Sequence, residues 1–490
     1  MNLKFFHGPI ITLFNGFGKP RGGIAASDLK IALQSLIALL KFFGYSWDMI
    51  RHRLLMAWVA AFIFLGIASD THSLAEVPPR EFLIVYTGNT LGELKPCGCA
   101  KEEDQGGFER RMTYFKQVGL NSKNTLFVDT GDSFKEPSRQ GKIKARYLMQ
   151  AMSLLKYDAV IPGDKDLVYG ESFLKKGASI PWLLSNARLS KLSPPETRIK
   201  KLENGLTIAM LAVVDPEMYY AAEHSGGHIT DPKESAKRLI DKVNGSEHPD
   251  VIVLLTHMKR EKALSLLALD RVNVVINGHI EKDTDVIDMT PVKQDGKIFI
   301  QPGPRGQKMG ELTVRIDKAG NKSFDQRMVR LDSNIKFDPE MIKWYEDYNR
   351  EVEDLFFTSL DARKDQHGKE KVYASEQTCL TCHPGKHALW SQSRHGHAYE
   401  TLNRVNKAFD PECLICHVTG FNHAGGFISE VDTPGLKNVQ CEVCHGPGLK
   451  HAKNPQTGLG RNARQACKLC HVKNHSPNFN YSNYWPKIKH

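Results

Sequence analysis

The sequence lacks the long apolar runs, basic–aromatic stretches and low-complexity segments that mark several classes of protein. Its longest apolar run, Leu54–Ala68, has 15 residues, whereas a helix needs about 20 to cross a bilayer. The formal net charge is +11, but no run of Lys and Arg is interleaved with aromatic residues, which argues against nucleic acid as a partner. We therefore expect ordinary globular domains over most of the 490 residues.

Isolated cysteines are also absent. Two of the ten cysteines, Cys97 and Cys99, form a C-G-C cluster, and the other eight form four pairs near the C-terminus. An even cysteine count in an exported chain usually indicates disulfides. The regular spacing within the four pairs indicates a different chemistry.

Residues 1–75 contain the pattern of an export signal. The basic segment Met49–Arg53 precedes the apolar run Leu54–Ala68, and Ser73-Leu-Ala75 offers a small-x-small cleavage site. We predict a signal peptide at about residues 49–75 and a protein that is periplasmic or exported beyond the cytoplasmic membrane. The alternative is an uncleaved anchor, and membrane association is expected only in that case.

The C-terminal region carries four C-x-x-C-H motifs, the attachment signature of c-type haem. In each motif two thiols bond to the vinyl groups of one porphyrin, and the adjacent imidazole binds the iron. Zinc sites also use C-x-x-C pairs, but they need no histidine after each pair, and here histidine follows every pair. We expect four covalent haem c groups, held by Cys379, Cys382 and His383, by Cys413, Cys416 and His417, by Cys441, Cys444 and His445, and by Cys467, Cys470 and His471.

The same region resembles the tetrahaem cytochrome c-554/c-prime family. The resemblance begins at Cys379, includes Trp390-Ser-Gln-Ser-Arg-His395, and continues in order through Cys413–Phe421 and Val439–Gly448. It covers essentially all of residues 371–490. It implies a mostly α-helical and irregular domain that transfers electrons.

The resemblance also implies distal ligands to the irons. In the family, one histidine after the tryptophan segment, one after the His-Gly-Pro-Gly turn and one beyond the last motif bind iron from the distal side. The first two correspond to His395 and His451, and the third to His490 or His475, of which we favour His490.

One haem of that family has no distal ligand from the protein. By resemblance this is the haem on His417, which makes it the expected place for a small molecule to bind. His423 or His387 could instead supply the missing ligand.

Residues 76–335 alternate between apolar runs and helical periodicity. Helical stretches such as Lys144–Leu155 and Pro232–Val243 fall between runs with the character of buried strands. This alternation predicts an α/β layered fold. The predicted strands are Phe82–Tyr86, Thr125–Val128, Leu206–Val214, Val251–Leu255 and Val274–Ile276.

Polar residues at the ends of these strands resemble the metal site of calcineurin-like metallophosphatases, most closely the periplasmic 5′-nucleotidase branch. That family binds two metals, which activate a bridging water and clamp the phosphate. Asp132, His257 and His279 match its ligands, and Asp164 stands in place of an asparagine. The resemblance implies a metallophosphatase-like sandwich and one or two divalent metals at these four residues.

Other positions depart from the family pattern. Asn89 and Leu91 stand where an aspartate and a histidine are expected, Lys165 replaces the catalytic histidine, and Glu281 replaces the last histidine. An ammonium at position 165 would repel a dication or occupy its place. We therefore expect a retained fold whose site is inactive or repurposed.

The C-G-C cluster follows the first predicted strand and would lie beside this site. Cys97 and Cys99 could replace missing ligands and favour a softer metal such as zinc or iron. They could also form a readily reduced disulfide, or they could belong to a plain loop.

A helical connector is expected between the two domains. Its apolar stripe is typical of a helix that packs on a neighbouring domain, and it consists of Ile342, Tyr345, Tyr348, Val352, Leu355 and Phe356. The predicted organisation is a leader at 1–75, a metallophosphatase-like domain at 76–335, the connector at 336–370 and a tetrahaem domain at 371–490.

Together these features predict an exported multihaem cytochrome that exchanges electrons with redox partner proteins. The nucleotidase-like domain would serve as a binding or docking module. One alternative is a redox enzyme that acts on a small anion at an open haem or at Cys97 and Cys99. Another is a metal-dependent phosphoesterase with a haem-bearing tail.

Overall fold

The computed structural model describes residues 80–96, 104–119, 122–177, 179–219, 227–279, 288–472, 475–476 and 478–490, together with Gln34, Ser35 and Ala38. The predicted signal peptide, Cys97, Cys99 and Glu281 lie outside the described residues. Among the helices of the described part, none is both long and apolar enough to span a bilayer.

Two mixed β-sheets form the centre of the first part of the chain. The strands are β1 Arg80–Thr87, β2 Thr125–Asp129, β3 Ala159–Val160, β4 Ala187–Arg188, β5 Thr197–Lys201, β6 Thr207–Val214, β7 His228–Ile229, β8 Val251–His257, β9 Val272–Asn277, β10 Val292–Gln294, β11 Lys297–Ile300, β12 Lys308–Ile316 and β13 Lys322–Arg330. One sheet has the strand order β13-β12-β1-β2-β3, and the other has the order β10-β11-β9-β8-β6-β5. Strands β4 and β7 form a separate antiparallel pair.

Parallel pairing dominates the middle of both sheets. Strand β1 runs parallel to β2, and β6, β8 and β9 run parallel to one another. Four of the five predicted strands lie within longer observed elements, and the fifth, β6, begins one residue after the predicted start at Leu206. Because the carboxyl ends of parallel strands meet at one edge of a sheet, this pairing gathers the residues that follow β2 and β3 in one sheet and those at the ends of β8 and β9 in the other.

Strand β6 shows why the predicted runs are continuously apolar. Ile208 and Met210 belong to a core that also contains side chains of the first sheet, whereas Ala209 and Leu211 belong to a second core that contains Leu239. Both faces of the strand are therefore buried, and a strand buried on both faces shows no polar alternation.

Within the described ranges, five α-helices accompany the sheets and confirm the predicted α/β layering. They are α1 Phe108–Gln117, α2 Arg139–Leu154, α3 Glu171–Leu174, α4 Pro232–Ser246 and α5 Arg260–Ser265. Helix α2 begins earlier than the predicted stretch because Ser138 caps it, accepting a hydrogen bond from the Gly141 amide.

The connector consists of α6 Pro339–Thr358 and α7 Leu360–His367. Asp338 caps α6 by accepting hydrogen bonds from the amides of Glu340 and Met341. The helix packs on α1 and α2. Its buried face differs in part from the predicted stripe, since Ile342 is 37% exposed whereas Met341 and Trp344 are buried.

The C-terminal part is built from short helices and irregular segments, as predicted. The helices are α8 Glu376–Cys382, α9 Pro384–Ser391, α10 Ala398–Arg404, α11 Pro411–His417, α12 Cys441–His445, α13 Leu449–Lys453, α14 Ala463–Cys470 and α15 Tyr481–Tyr484. Each C-x-x-C-H motif lies at the end of one of these helices or makes up the whole helix. Residues Pro79–His490 form one compact unit.

Candidate functional sites

Six histidines of the C-terminal part face one another in three pairs. The ring centres are 6.4 Å apart for His383 and His451, 6.1 Å for His395 and His471, and 5.7 Å for His445 and His490. A metal–imidazole bond is about 2.0 Å long. When two imidazoles bind one metal from opposite sides, the two bonds and the distance from each ligand nitrogen to its ring centre add up to about 6 Å between the ring centres. Each pair therefore has the spacing of two imidazoles on opposite sides of one metal.

Hydrogen bonds orient several of these rings. The Nδ1 atom lies 2.8 Å from the Thr457 carbonyl in His451, 3.0 Å from the Ile488 carbonyl in His490 and 2.7 Å from the Ala398 carbonyl in His417. A carbonyl oxygen only accepts, so Nδ1 must donate and Nε2 keeps its lone pair. This is the tautomer that a metal-binding histidine needs.

The four motifs lie next to one another, and the helices of the third and fourth motifs, α12 and α14, are packed together. The thiol of Cys379 is within hydrogen-bonding reach of Cys441, and that of Cys416 is within reach of Cys470. The first motif therefore adjoins the third, and the second adjoins the fourth.

A cavity of 1830 Å³ opens beside the second and fourth motifs. Pockets for a single small molecule have about 300–1,000 Å³, so this space is large enough for more than one such group. Its wall includes Cys413, His417 and His471 from the C-terminal part, but also Lys144 and Tyr348 from α2 and α6.

The structure places the other candidate histidines in different surroundings. His475 lines the cavity, whereas His387 and His423 are not among its lining residues. His387 instead contacts the Glu376 carboxylate and the Trp390 ring, and His423 is exposed. Within the described residues, His417 has no histidine facing it at the spacing of the three pairs.

A buried polar network joins the two parts of the chain beside this cavity. Gln140 donates a hydrogen bond of 2.8 Å to Asp410, and Lys144 lies 2.6 Å from Glu412. Lys407 binds the second oxygen of Asp410 at 3.0 Å. Burial opposes ionisation of Asp410, but Lys407 and Gln140 outweigh it and hold the pKa of this carboxyl below its ordinary value.

A second site lies at the strand ends of the first part. Four side chains each place one potential ligand atom within 4.8 Å of the others, and they belong to Asp132, Asp164, His257 and His279. His257 Nε2 is 3.3 Å from Asp132 Oδ1 and 2.8 Å from Asp164 Oδ1, and His279 Nδ1 is 3.4 Å from Asp164 Oδ1. The structure thus brings together the four strand-end residues that were predicted to bind metal.

The loops that carry these ligands are held by Asp166, whose role the sequence did not reveal. Its carboxylate accepts hydrogen bonds from the amides of Asp132, Ser133, Phe134 and Gly163. Burial and the nearby Asp132 charge raise the pKa of Asp166 to about 7, although these hydrogen bonds act in the opposite direction. A side chain at Gly163 would come within 2.4 Å of Asp132, so the close approach of the loops requires glycine.

The charges of the cluster are mutually dependent. Burial disfavours the imidazolium of His257, but Asp132 and Asp164 outweigh burial and raise its pKa well above the ordinary value. Burial also acts against the Asp164 carboxylate, yet His257 and His279 hold its pKa well below the usual range. Two carboxylates facing two imidazoles form a donor set suited to a divalent transition metal.

Three of the positions that depart from the metallophosphatase pattern, Asn89, Leu91 and Lys165, lie close to the same cluster. Lys165 Nζ lies 3.9 Å from Asp132 Oδ2. Asn89 is fully buried, and neither polar atom of its side chain has a hydrogen-bond partner. Leu91 offers no ligand atom. Two-metal chemistry of the family's kind therefore lacks several of its donors here.

Comparison with known proteins agrees with both resemblances. The cytochrome c554 and c-prime family matches residues 378–446. Cytochrome c-554 of Nitrosomonas europaea is 32% identical over an alignment of 135 residues, with a coverage of 20% of this chain and 57% of that protein. The trifunctional nucleotide phosphoesterase protein YfkN of Bacillus subtilis is 21% identical over 325 residues, covering 57% of this chain and 21% of that protein.

Among solved structures, the 5′-nucleotidase precursor of Thermus thermophilus aligns over 60% of this chain and 61% of its own, at 20% identity and a TM-score of 0.49. The chain thus spans only part of the length of each of these relatives. Its C-terminal segment is similar to the cytochrome c554 family, and the segment before it is similar to 5′-nucleotidases and calcineurin-like phosphoesterases.

Proposed function

We propose that this chain is an exported multihaem c-type cytochrome that transfers electrons through four covalently bound haems. The observation that carries the proposal is the spacing of the three histidine pairs, each of which joins a motif histidine to a histidine distant in sequence. Two imidazoles that bind one iron from opposite sides require this spacing.

In this proposal the irons have unequal coordination. His451 is the distal ligand opposite His383, His395 lies opposite His471, and His490 lies opposite His445. The haem on His417 has an open distal side, supported by the absence of a facing histidine among the described residues.

The adjacency of the motifs supports electron transfer between haems. The first and third motifs approach each other through their thiols, as do the second and fourth. The haems of each couple would then lie side by side, and electrons would pass along the C-terminal part to or from a redox partner protein.

The nucleotidase-like part would act as a binding or docking module. Its helix α2 contributes Gln140 and Lys144 to the network at the start of α11, the helix that carries Cys413 and His417. In this proposal, binding of a partner to the nucleotidase-like part affects the haem attached to Cys413 and Cys416.

A second candidate function is redox chemistry on a small anion at the haem of His417. The supporting observation is that the cations Lys135 and Arg139 line the same cavity as His417. A phosphoesterase with a haem-bearing tail is less well supported, because Leu91 and Lys165 remove donors that such chemistry needs.

Haem content and spin state of the purified, matured protein test this function. We expect four haems per chain from the pyridine haemochrome, with three low-spin irons and one high-spin iron by electron paramagnetic resonance. Four low-spin irons would contradict the open site, and clearly fewer than four haems would contradict the tetrahaem assignment.

A further inference from the structure

We infer that the cluster of Asp132, Asp164, His257 and His279 binds one divalent transition metal, and that the ammonium of Lys165 takes the place of a second cation. Such a site is independent of the proposed electron transfer. It departs from the two-metal site that the metallophosphatase resemblance implies.

Two separations within the cluster already match those of neighbouring ligands in one coordination sphere. Tetrahedral bonds of about 2.0–2.1 Å place neighbouring ligands about 3.3 Å apart. The observed separations of 3.3 Å between His257 and Asp132 and 3.4 Å between His279 and Asp164 fit this value. The shorter His257–Asp164 distance of 2.8 Å is a hydrogen bond that a metal would replace.

Unsatisfied polar atoms also point to a missing cation. Asp132 Oδ2 and His279 Nδ1 are buried without a partner in hydrogen-bonding geometry. Leaving such atoms unpaired costs free energy, and more when the group is charged. A bound metal would remove this cost at His279 Nδ1, whereas Asp132 Oδ2 faces the Lys165 ammonium.

The two oxygens of Asp132 face different cations. Oδ1 lies beside His257, on the side of the four-residue cluster, whereas Oδ2 lies 3.9 Å from Lys165 Nζ. A carboxylate that would bridge two metals thus has an ammonium on one side. Asn89 and Leu91, at the positions where the family pattern has metal ligands, supply no charged donor.

Charge balance agrees with a single dication. Asp132 and Asp164 together carry two negative charges, so one dication together with the Lys165 ammonium leaves an excess of only one positive charge. A second dication beside Lys165 would leave a large positive excess in a buried site, which is electrostatically unfavourable. The two imidazoles favour zinc or a similar transition metal over magnesium or calcium.

The test is zinc binding by the full-length, haem-loaded protein after treatment with a chelator. Zinc is chosen as the probe because it is distinguished from haem iron by elemental analysis. We expect one zinc per chain after equilibrium dialysis. Two zinc ions per chain, or none, would overturn the inference.

Three variants locate the zinc and test the lysine. His279→Ala should weaken zinc binding by roughly 100-fold or more. Lys165→Met should strengthen it by roughly tenfold or more, because a nearby positive charge is removed. Lys237→Met, at an exposed position of α4, is the matched control and should leave zinc binding unchanged.

Each variant can contradict the inference. Zinc that stays tightly bound in His279→Ala would be held elsewhere, for example by Cys97 and Cys99. Unchanged or weaker binding in Lys165→Met would show that the ammonium does not occupy a cation position.

Discussion

Replacement of Asp410 by alanine should destabilise the contact between the two parts of the chain. Asp410 is buried at the start of α11 and caps that helix by accepting a hydrogen bond from the Glu412 amide. It also binds Gln140 at 2.8 Å and Lys407 at 3.0 Å. One side chain therefore joins α11, the helix of the second C-x-x-C-H motif, to α2.

The magnitude follows from the contacts that are lost. Loss of a helix cap costs about 1 kcal/mol, and a buried partner left unsatisfied costs about 1–3 kcal/mol. Lys407 keeps a hydrogen bond to Asn349 and Gln140 keeps one to Tyr348, which limits the cost at both partners. We expect Asp410→Ala to lower the free energy of unfolding by about 3 kcal/mol. Asp410→Asn keeps a capping oxygen and should cost less, about 1–2 kcal/mol.

The measurement is urea denaturation of the haem-loaded protein, followed by circular dichroism in the Soret region. Asp361→Ala is the matched control, because Asp361 is an exposed aspartate of the connector, and it should change stability by less than about 0.5 kcal/mol. If Asp410→Ala behaves like this control, the network does not stabilise the contact and the reasoning is wrong.

Further predictions concern pH, ligands and haem content. The folded pKa of Asp410 is below its ordinary value, so the contribution of its carboxylate to stability is complete above about pH 4 and is lost as the pH falls further. The stabilities of the wild type and of Asp410→Asn, measured by urea denaturation, should therefore converge as the pH is lowered. His451→Ala should convert one haem from low to high spin in electron paramagnetic resonance, whereas the control His423→Ala should not. Serine at both Cys413 and Cys416 should lower the pyridine haemochrome value by one haem per chain; an unchanged value would contradict attachment there.

The strands were predictable because burial on both faces leaves an uninterrupted apolar run. The five predicted runs coincide with β1, β2, β6, β8 and β9. Helix faces were less certain, since one apolar pattern fits several rotations of a helix. The exposure of Ile342 and burial of Trp344 depend on how α6 meets α1 and α2, which the local pattern does not contain.

By itself the sequence determined the features whose chemistry is local. The C-x-x-C-H motifs are complete within five residues, and the strand-end residues Asp132, Asp164, His257 and His279 were recognisable one by one. Only the tertiary structure decided which distant groups meet. Three such contacts depend on the packing of segments that are far apart in the sequence. They are the pairing of His383 with His451, the hydrogen bond from Gln140 to Asp410 and the approach of Lys165 to Asp132.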